Sequence, residues 1–274
     1  MTHSSSTAES GDDSIPELGI GTWENTDPKA CRNAVKTALE TGYRHVDTAQ
    51  AYGNEAAVGD GIEAADVPRE EVFLATKVWI DSLAPGDVRE STKASLERLG
   101  VDSVDLMYVH WPAGAYDPET TLPAFQELYD EGLIGGIGVS NFEPRHLDEA
   151  SDVLDVPIRA NQVEIHPLLQ QRELREYADR HDLALVAYSP LARGAVFEHP
   201  VIQDIAETHE RSEAQVSLAW LRQKELIAIP KATSEDHIRD NWASLDLTLT
   251  GDEMERIDAI DREVRQVDPT KAPW

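Results

Sequence analysis

An aspartate and a tyrosine stand five residues apart in GYRHVDTAQAYGNE, where a short apolar segment ends. The tyrosine, Tyr52, has an unperturbed pKa of about 10, so it is a poor proton donor at neutral pH unless a cation stabilises the phenolate that forms. Lys77, at the end of the next apolar segment, could supply that cation. The aspartate, Asp47, could keep this lysine charged and oriented. The pattern therefore predicts a proton-donating site.

His110 ends a third apolar segment, SVDLMYVH. Its imidazole could hydrogen-bond a substrate oxygen and hold it beside Tyr52. Together with Asp47 and Lys77, these residues suit the protonation of a carbonyl oxygen on which negative charge develops. Two simpler readings remain open. Asp47 and Lys77 could form an ion pair that serves only the structure. His110, taken alone, could be a partly buried structural histidine.

Three of the six tryptophans, Trp23, Trp79 and Trp111, follow the ends of such apolar segments. Taken singly, each could be core packing, because aromatic residues dominate cores. Beside titratable groups, their flat apolar surfaces predict the walls of a pocket for a small organic substrate.

Eight apolar runs have to position these residues. We expect strands at 18–22, 44–48, 71–77, 103–110, 134–140, 159–165, 183–189 and 226–230. Amphipathic segments such as 87–100, 120–131 and 170–182 lie between them and have apolar residues at helical spacing. Strand and helix, repeated eight times in about 250 residues, predict a single α/β domain with the (β/α)₈ TIM-barrel fold. Active sites in this fold lie at the carboxyl ends of the strands.

The expected domain covers residues 15–274, with an extra helix after Thr250. Residues 1–14 are polar, with neither an apolar h-region nor a basic start, so we expect a disordered segment and no signal peptide. The single cysteine, Cys31, lies in a helical pattern and is read as an ordinary helix residue rather than a nucleophile.

The formal net charge of −28 comes from 52 acidic and 24 basic residues. Such a charge would repel nucleic acid and anionic membranes, so neither is expected as a partner. Acidic residues spread along the whole chain are typical of a halophilic protein, since concentrated salt screens their repulsion. We expect a cytoplasmic protein without a membrane span, and a monomer because no helix shows a long apolar seam.

Two other kinds of site are not favoured. GGIGVS contains GxG but does not open a helix after a first strand, as a Rossmann fingerprint requires, so its glycines are expected to allow close packing of strand 5. The segments THE at 208–210 and EIH at 164–166 lack the further ligands of a zinc site, and no metal is expected.

Seven motifs occur in an order that resembles the aldo-keto reductase superfamily, from about Ile15 to the C-terminus: GYRHVDTAQAYGNE, ATKVW, MYVHWP, GVSNF, NQVEIHP, AYSPLARG and IPKAT. The short loops resemble the prokaryotic branch typified by 2,5-diketo-gluconate reductases. The resemblance implies hydride transfer from a nicotinamide cofactor to an aldehyde or ketone. It implies Tyr52 as general acid, Lys77 lowering the pKa of Tyr52, Asp47 paired with Lys77, and His110 orienting the carbonyl.

The resemblance also implies the cofactor contacts. Ser140, Asn141 and Gln162 would hold the carboxamide, Tyr188 would stack on the nicotinamide ring, and Ser189 and Leu191 would lie along the pyrophosphate. Lys231 would meet the 2′-phosphate and Asn241 the adenine, and Thr22 belongs to the same set.

One segment departs from the family pattern. Ala232 and His237 stand where family members often have a serine and an arginine. Lys231 is retained in a chain with only seven lysines, so NADPH is the expected cofactor, with NADH possible and Arg239 as a compensating cation.

Two rival functions stay open. One is a Schiff-base lyase or aldolase in which Lys77 attacks a carbonyl. The other is a cofactor-binding sensor without turnover.

The C-terminal KAPW would close over the pocket, with Trp274 touching substrate.

Overall fold

The computed structural model describes residues 14–274, and the disorder expected of residues 1–14 falls outside this range except at Ser14. Eight strands form one sheet, and each pairs in parallel with the next in sequence. They are β1 (Ile20–Gly21), β2 (His45–Asp47), β3 (Phe73–Val78), β4 (Leu106–Val109), β5 (Ile137–Ser140), β6 (Ala160–Glu164), β7 (Ala184–Tyr188) and β8 (Ile227–Ala228). Parallel bridges from Leu18 to Ala228 and from Gly21 to Lys231 join the two ends of the sheet. The predicted (β/α)₈ barrel is confirmed, with strands shorter than the apolar runs.

Ten α-helices of the described chain surround the sheet. They are α1 (Pro28–Thr41), α2 (Glu55–Ala64), α3 (Pro85–Leu99), α4 (Pro118–Asp130), α5 (Pro144–Val153), α6 (Arg172–His181), α7 (Pro200–His209), α8 (Glu213–Gln223), α9 (Glu235–Trp242) and α10 (Gly251–Asp258). The helices expected between strands are present, and β7 is followed by two helices rather than one. None of these helices is long and apolar enough to span a membrane.

Local signals set the ends of several helices. In α1, the Asp27 side chain caps the N-terminus by accepting from the Ala30 N–H at 2.7 Å. In α10, Thr250 and Glu253 form a reciprocal capping box, which confirms the helix expected after Thr250. Cys31 is buried within α1, and burial raises the pKa of its thiol to about 11. The thiol is thus protonated at neutral pH, as expected of an ordinary helix residue.

Every second residue of a strand points into the barrel. The interior below the mouth is filled by an apolar cluster that consists of Phe73, Ala75, Leu106, Tyr108, Ala160, Val186, Ile227 and Ile229. A Cβ atom on Gly138 would lie 2.5 Å from the Tyr108 ring, so only glycine fits in β5 at this point. The glycines of strand 5 therefore allow the close packing that the sequence indicates.

The same alternation places the next residue of each strand at the mouth. Lys77 lies two residues beyond Ala75, His110 two beyond Tyr108, and Gln162 two beyond Ala160. Polar side chains at this level therefore stand on a packed apolar floor, and they face a common space above it.

Candidate active site

Three neighbouring strands and a short turn bring the four predicted catalytic residues together. Asp47 ends β2, Lys77 lies in β3, and His110 follows β4, while Tyr52 ends a short 3₁₀ turn, Gln50–Tyr52. Asp47 and Lys77 form a buried ion pair. The second oxygen of the Asp47 carboxylate accepts from Gln162 Nε2 at 2.7 Å. Both carboxylate oxygens are therefore paired, as a buried charge requires.

The ammonium group of Lys77 has three partners and a fully buried side chain. It donates to Asp47 Oδ1, to the Thr48 carbonyl at 2.8 Å and to the Tyr52 hydroxyl at 3.4 Å. An ammonium group has three N–H donors, so all of them are directed at the protein. The contact with Tyr52 extends what would otherwise be a structural ion pair to a hydroxyl at the mouth of the barrel.

Burial and the Asp47 carboxylate shift the pKa values of both Lys77 and Tyr52. Burial lowers the pKa of Lys77, and the Asp47 carboxylate opposes that shift. Burial, and secondly the charge of Asp47, raise the pKa of Tyr52 well above its ordinary value. The lowering of this pKa by Lys77 that the family resemblance implies is thus opposed by burial and by the charge of Asp47, and it stays a prediction.

His110 faces Tyr52 with its ring nearly perpendicular, at a centroid distance of 5.8 Å. Trp79 packs on the other edge of the imidazole at 5.1 Å. Burial, followed by the charges of Lys77 and Lys271, lowers the pKa of His110 well below its usual value. His110 is therefore neutral at physiological pH, and a neutral imidazole can donate one hydrogen bond to a substrate oxygen.

A cavity of about 1010 Å³ opens above these groups. Fifteen of the sixteen residues expected at the site line it: Thr22, Trp23, Asp47, Tyr52, Trp79, His110, Trp111, Ser140, Asn141, Gln162, Tyr188, Ser189, Leu191, Lys231 and Asn241. Lys77 lies behind this lining. The structure thus brings the predicted catalytic, cofactor and substrate residues to one space.

A hydrogen-bond network holds the wall formed by β5, β6 and β7. Ser140 Oγ donates to the Gln162 carbonyl at 2.7 Å, and Asn141 Nδ2 donates to the His110 carbonyl at 3.1 Å. The Tyr188 hydroxyl donates to Asn141 Oδ1 at 2.9 Å. Asn141 has a φ of 63°, in the left-handed region that asparagine tolerates better than most residues. The Tyr188 ring is thereby fixed as a flat surface beside amide groups, which suits a planar ring bearing a carboxamide.

The cavity continues from this wall to a second group of polar residues. Lys231, His237 and Asn241 line it there, together with Ser212, Glu213 and Ala214 at the N-terminus of α8. A cation and a helix N-terminus are both suited to phosphate groups. The donor set therefore fits an elongated nicotinamide dinucleotide.

Of the two residues considered beside Lys231, only His237 lies at the cavity. His237 lines the cavity in place of the arginine of the family pattern, but Arg239 does not line it. Arg239 instead pairs with Glu235 at 2.9 Å, one turn earlier in α9. The carboxylate of Asp240 also faces the cavity and is held by Ser212 Oγ at 2.7 Å. Lys231 is thus not supported by Arg239.

The C-terminal strap, residues 264–274, supplies cavity-lining groups that were not among the predicted site residues. Val267, Pro269 and Lys271 line the cavity. Trp274 is 40% exposed and packs on Trp111 at a centroid distance of 5.7 Å, but it does not line the cavity. The strap thus lies at the pocket through Val267, Pro269 and Lys271, and the substrate contact expected of Trp274 stays a prediction. The scarcity of lysine was the signal that could have drawn attention to Lys271.

Comparison with known proteins agrees with this geometry. A model of the aldo/keto reductase family matches residues 17–262. The chain is 41% identical over 254 residues to the 9,11-endoperoxide prostaglandin H2 reductase of Trypanosoma cruzi (strain CL Brener), covering 92% of this chain and 89% of that protein. It is 39% identical over 251 residues to the glyoxal reductase of Bacillus subtilis (strain 168), covering 92% and 91%.

A solved structure named for 2,5-diketo-D-gluconic acid reductase B superposes with a TM-score of 0.90 at 36% identity, covering 95% of this chain and 93% of that one. The barrel, the order of its motifs and the catalytic geometry lead to the same assignment as these relatives. The chain belongs to the aldo/keto reductase family and is an oxidoreductase that reduces carbonyl compounds with NAD(P)H.

Proposed function

We propose that Tyr52 is the general acid that protonates the carbonyl oxygen during reduction of an aldehyde or ketone. The observation that carries this proposal is the Lys77 ammonium group, which donates to Asp47 and also approaches the Tyr52 hydroxyl at 3.4 Å. As the proton leaves, the phenolate forms beside the fixed, buried cation of Lys77. Fixed charges of this kind stabilise developing charge without reorganisation.

The bound nicotinamide cofactor supplies the hydride. His110, neutral and next to Tyr52, donates a hydrogen bond to the same carbonyl oxygen and aligns it with the phenol. Trp23, Trp79 and Trp111 form the apolar walls against which the rest of the substrate packs. Asp47 keeps Lys77 charged and in place. The cavity-lining residues that would hold the cofactor are Ser140, Asn141 and Gln162 for the carboxamide, Tyr188 for the ring, and Thr22, Ser189, Leu191 and Asn241 for the remainder.

NADPH is the proposed cofactor, with NADH also accepted. Lys231 at the cavity wall supports phosphate recognition. His237 in place of arginine and the neighbouring Asp240 carboxylate support a modest preference, because one cation offers few contacts and a carboxylate repels a phosphate.

The two rival functions are less well supported. A Schiff-base reaction needs a lysine that reaches substrate, whereas Lys77 lies behind the cavity lining with its three donors engaged. Borohydride trapping of an adduct on Lys77 would favour this rival. A sensor would bind the reduced cofactor and leave it unoxidised with every carbonyl offered.

The proposal extends to the setting of the enzyme. Residues 15–274 would act as one domain and as a monomer of the 2,5-diketo-gluconate reductase-like branch, to which the superposed reductase structure also points. The net charge of −28 supports function in a salty, halophilic cytoplasm without nucleic acid or membrane partners.

Initial rates of NADPH and NADH oxidation with a small carbonyl panel in molar potassium chloride test this function. Loss of turnover in Tyr52→Phe, with cofactor binding retained, is the expected result. Binding without turnover in the wild type would favour the sensor, and full activity of Tyr52→Phe would exclude Tyr52 as the acid.

A further inference from the structure

Lys271 occupies an unusual position for a surface lysine. Its ammonium nitrogen lies 3.6 Å from the centroid of the Trp79 ring and 5.5 Å from that of Trp111. Both rings belong to the substrate walls beside His110. Among residues 14–274, no carboxylate lies within 4.0 Å of this nitrogen. Lys271 thus brings a positive charge without a carboxylate partner to the space where the substrate has to lie.

The ammonium group of Lys271 is partly removed from water. Partial desolvation lowers the pKa of Lys271, and the charge of Asp81 only partly opposes the shift. The protein carries a net charge of −28, which repels an anionic substrate, and a cation beside the pocket opposes that repulsion locally. A carboxylate beside Lys271 would take the place of the lost water and favour the charged form of the ammonium group.

The strap that carries Lys271 is anchored by a buried group. Glu164, at the end of β6, is fully buried, and its two oxygens accept from the backbone N–H groups of Gln266 at 2.6 Å and Val267 at 2.8 Å. His166 Nε2 lies 2.9 Å from one of these oxygens. Farther along, Arg145 donates to the Pro273 carbonyl at 3.2 Å. The strap is therefore held on both sides of Lys271.

We propose that Lys271 is a specificity-determining residue that binds a carboxylate on the carbonyl substrate, and that Glu164 is the positioning residue that places it there. This rests on the proposed carbonyl reductase function and adds the substrate class. The favoured substrate carries an aldehyde or ketone that reaches Tyr52 and His110, and a carboxylate that reaches the strap. Trp79 and Trp111 hold the connecting carbon atoms between the two.

Matched pairs of probes test the carboxylate directly. Succinic semialdehyde and 4-carboxybenzaldehyde are each compared with their neutral methyl esters, and the ratio of kcat/KM for acid over ester is measured at fixed salt. We expect the wild type to favour at least one acid over its ester. Lys271→Met should lower that ratio about tenfold to a hundredfold, the range for one charged hydrogen bond. Lys271→Arg should restore most of it.

Lys93→Met is the matched control, because Lys93 is exposed on α3 and does not line the cavity. Its acid-to-ester ratio should equal that of the wild type. An equal ratio in Lys271→Met and the wild type would overturn the proposal. Turnover of no carbonyl by any variant would instead overturn the proposed function, so the two failures are distinguishable.

A double-mutant cycle tests the positioning role. Glu164→Gln removes one of the two acceptors for the strap and should lower the acid-to-ester ratio, whereas adding Glu164→Gln to Lys271→Met should lower it no further. Glu164 is buried, and its variant could fail to fold. Gln266→Pro therefore serves as a second variant, because it removes the N–H that Gln266 donates to Glu164. Independent effects of the two substitutions on the ratio would exclude Glu164 as the residue that places Lys271.

Discussion

Gln162 and Asp47 are joined across the mouth of the barrel by a hydrogen bond of 2.7 Å from an amide N–H to a carboxylate oxygen. They come from β6 and β2, which lie on opposite sides of an eight-stranded barrel. The other oxygen of Asp47 pairs with Lys77. One carboxylate therefore connects the proposed cofactor wall to the proposed proton-donating group.

Replacing Asp47 tests this connection. Asp47→Asn leaves the buried Lys77 charge without its counter-ion, and the loss of one partner from such a pair is expected to lower the free energy of unfolding by about 3–5 kcal/mol. Urea unfolding measures this loss, and kcat should fall with it because the ammonium group no longer stays charged. Glu131→Gln is the control, since Glu131 forms an exposed pair with Arg89. Its effect should stay within about 0.5 kcal/mol, and an equally small effect of Asp47→Asn would contradict the role of the buried pair.

The raised pKa of Tyr52 predicts the pH profile of reduction. A higher pKa keeps the phenol protonated to higher pH, so the acid form is fully present at neutral pH and is lost only in strongly alkaline solution. We expect kcat/KM for a neutral aldehyde to be flat from about pH 6 to about pH 9. A decline of kcat/KM within this pH range that is absent from the residual activity of Tyr52→Phe would contradict the raised pKa. It would show that Lys77 lowers the pKa of Tyr52 by more than burial and Asp47 raise it.

Lys231 predicts the cofactor preference. Lys231→Ala should raise the Kd for NADPH about tenfold or more and leave the Kd for NADH nearly unchanged, because only NADPH carries the 2′-phosphate. Fluorescence titration of each reduced cofactor provides the measurement, at low and at molar salt. Arg239→Ala serves as the control, since Arg239 pairs with Glu235 and does not line the cavity. Equal weakening of both cofactors would exclude phosphate recognition by Lys231.

His45 predicts a pH dependence of stability. It is fully buried at the start of β2, and burial lowers its pKa to about 4 from the model-compound value of 6.5. Between these values the unfolded chain binds more protons, so the free energy of unfolding falls as the pH drops from about 6.5 to about 4 and levels off below. The shift corresponds to a loss of about 3 kcal/mol.

Urea unfolding at several pH values, at constant salt, measures this slope. His110 contributes in the same direction, because its pKa is lowered as well. The comparison of interest is therefore His45→Gln against wild type, and the variant should show a clearly shallower decline. The same slope in both proteins would mean that His45 does not titrate on unfolding.

The sequence predicted the barrel from local periodicity, whereas most of the fifteen cavity residues were predicted from the resemblance of its motifs to the aldo-keto reductases. Apolar runs separated by helical segments give the strand order, and parallel strands bring their carboxyl ends to one edge. Asp47, Lys77 and His110 could thus be placed together without coordinates. The sequence analysis missed the second helix after β7 and the pairing of Arg239 with Glu235, although an acidic and a basic residue four positions apart on a helix form a local pattern.

What the sequence by itself determined is the fold and the identity of the groups at its mouth, because alternation along each strand assigns every side chain to the interior or the exterior. The tertiary structure decided the rest. The strap reaches Glu164 across about a hundred residues of chain, and no local pattern encodes a backbone N–H that meets a distant carboxylate. The direction of the Tyr52 pKa shift likewise depends on burial and on the balance of Lys77 against Asp47, and these exist only after the barrel has closed.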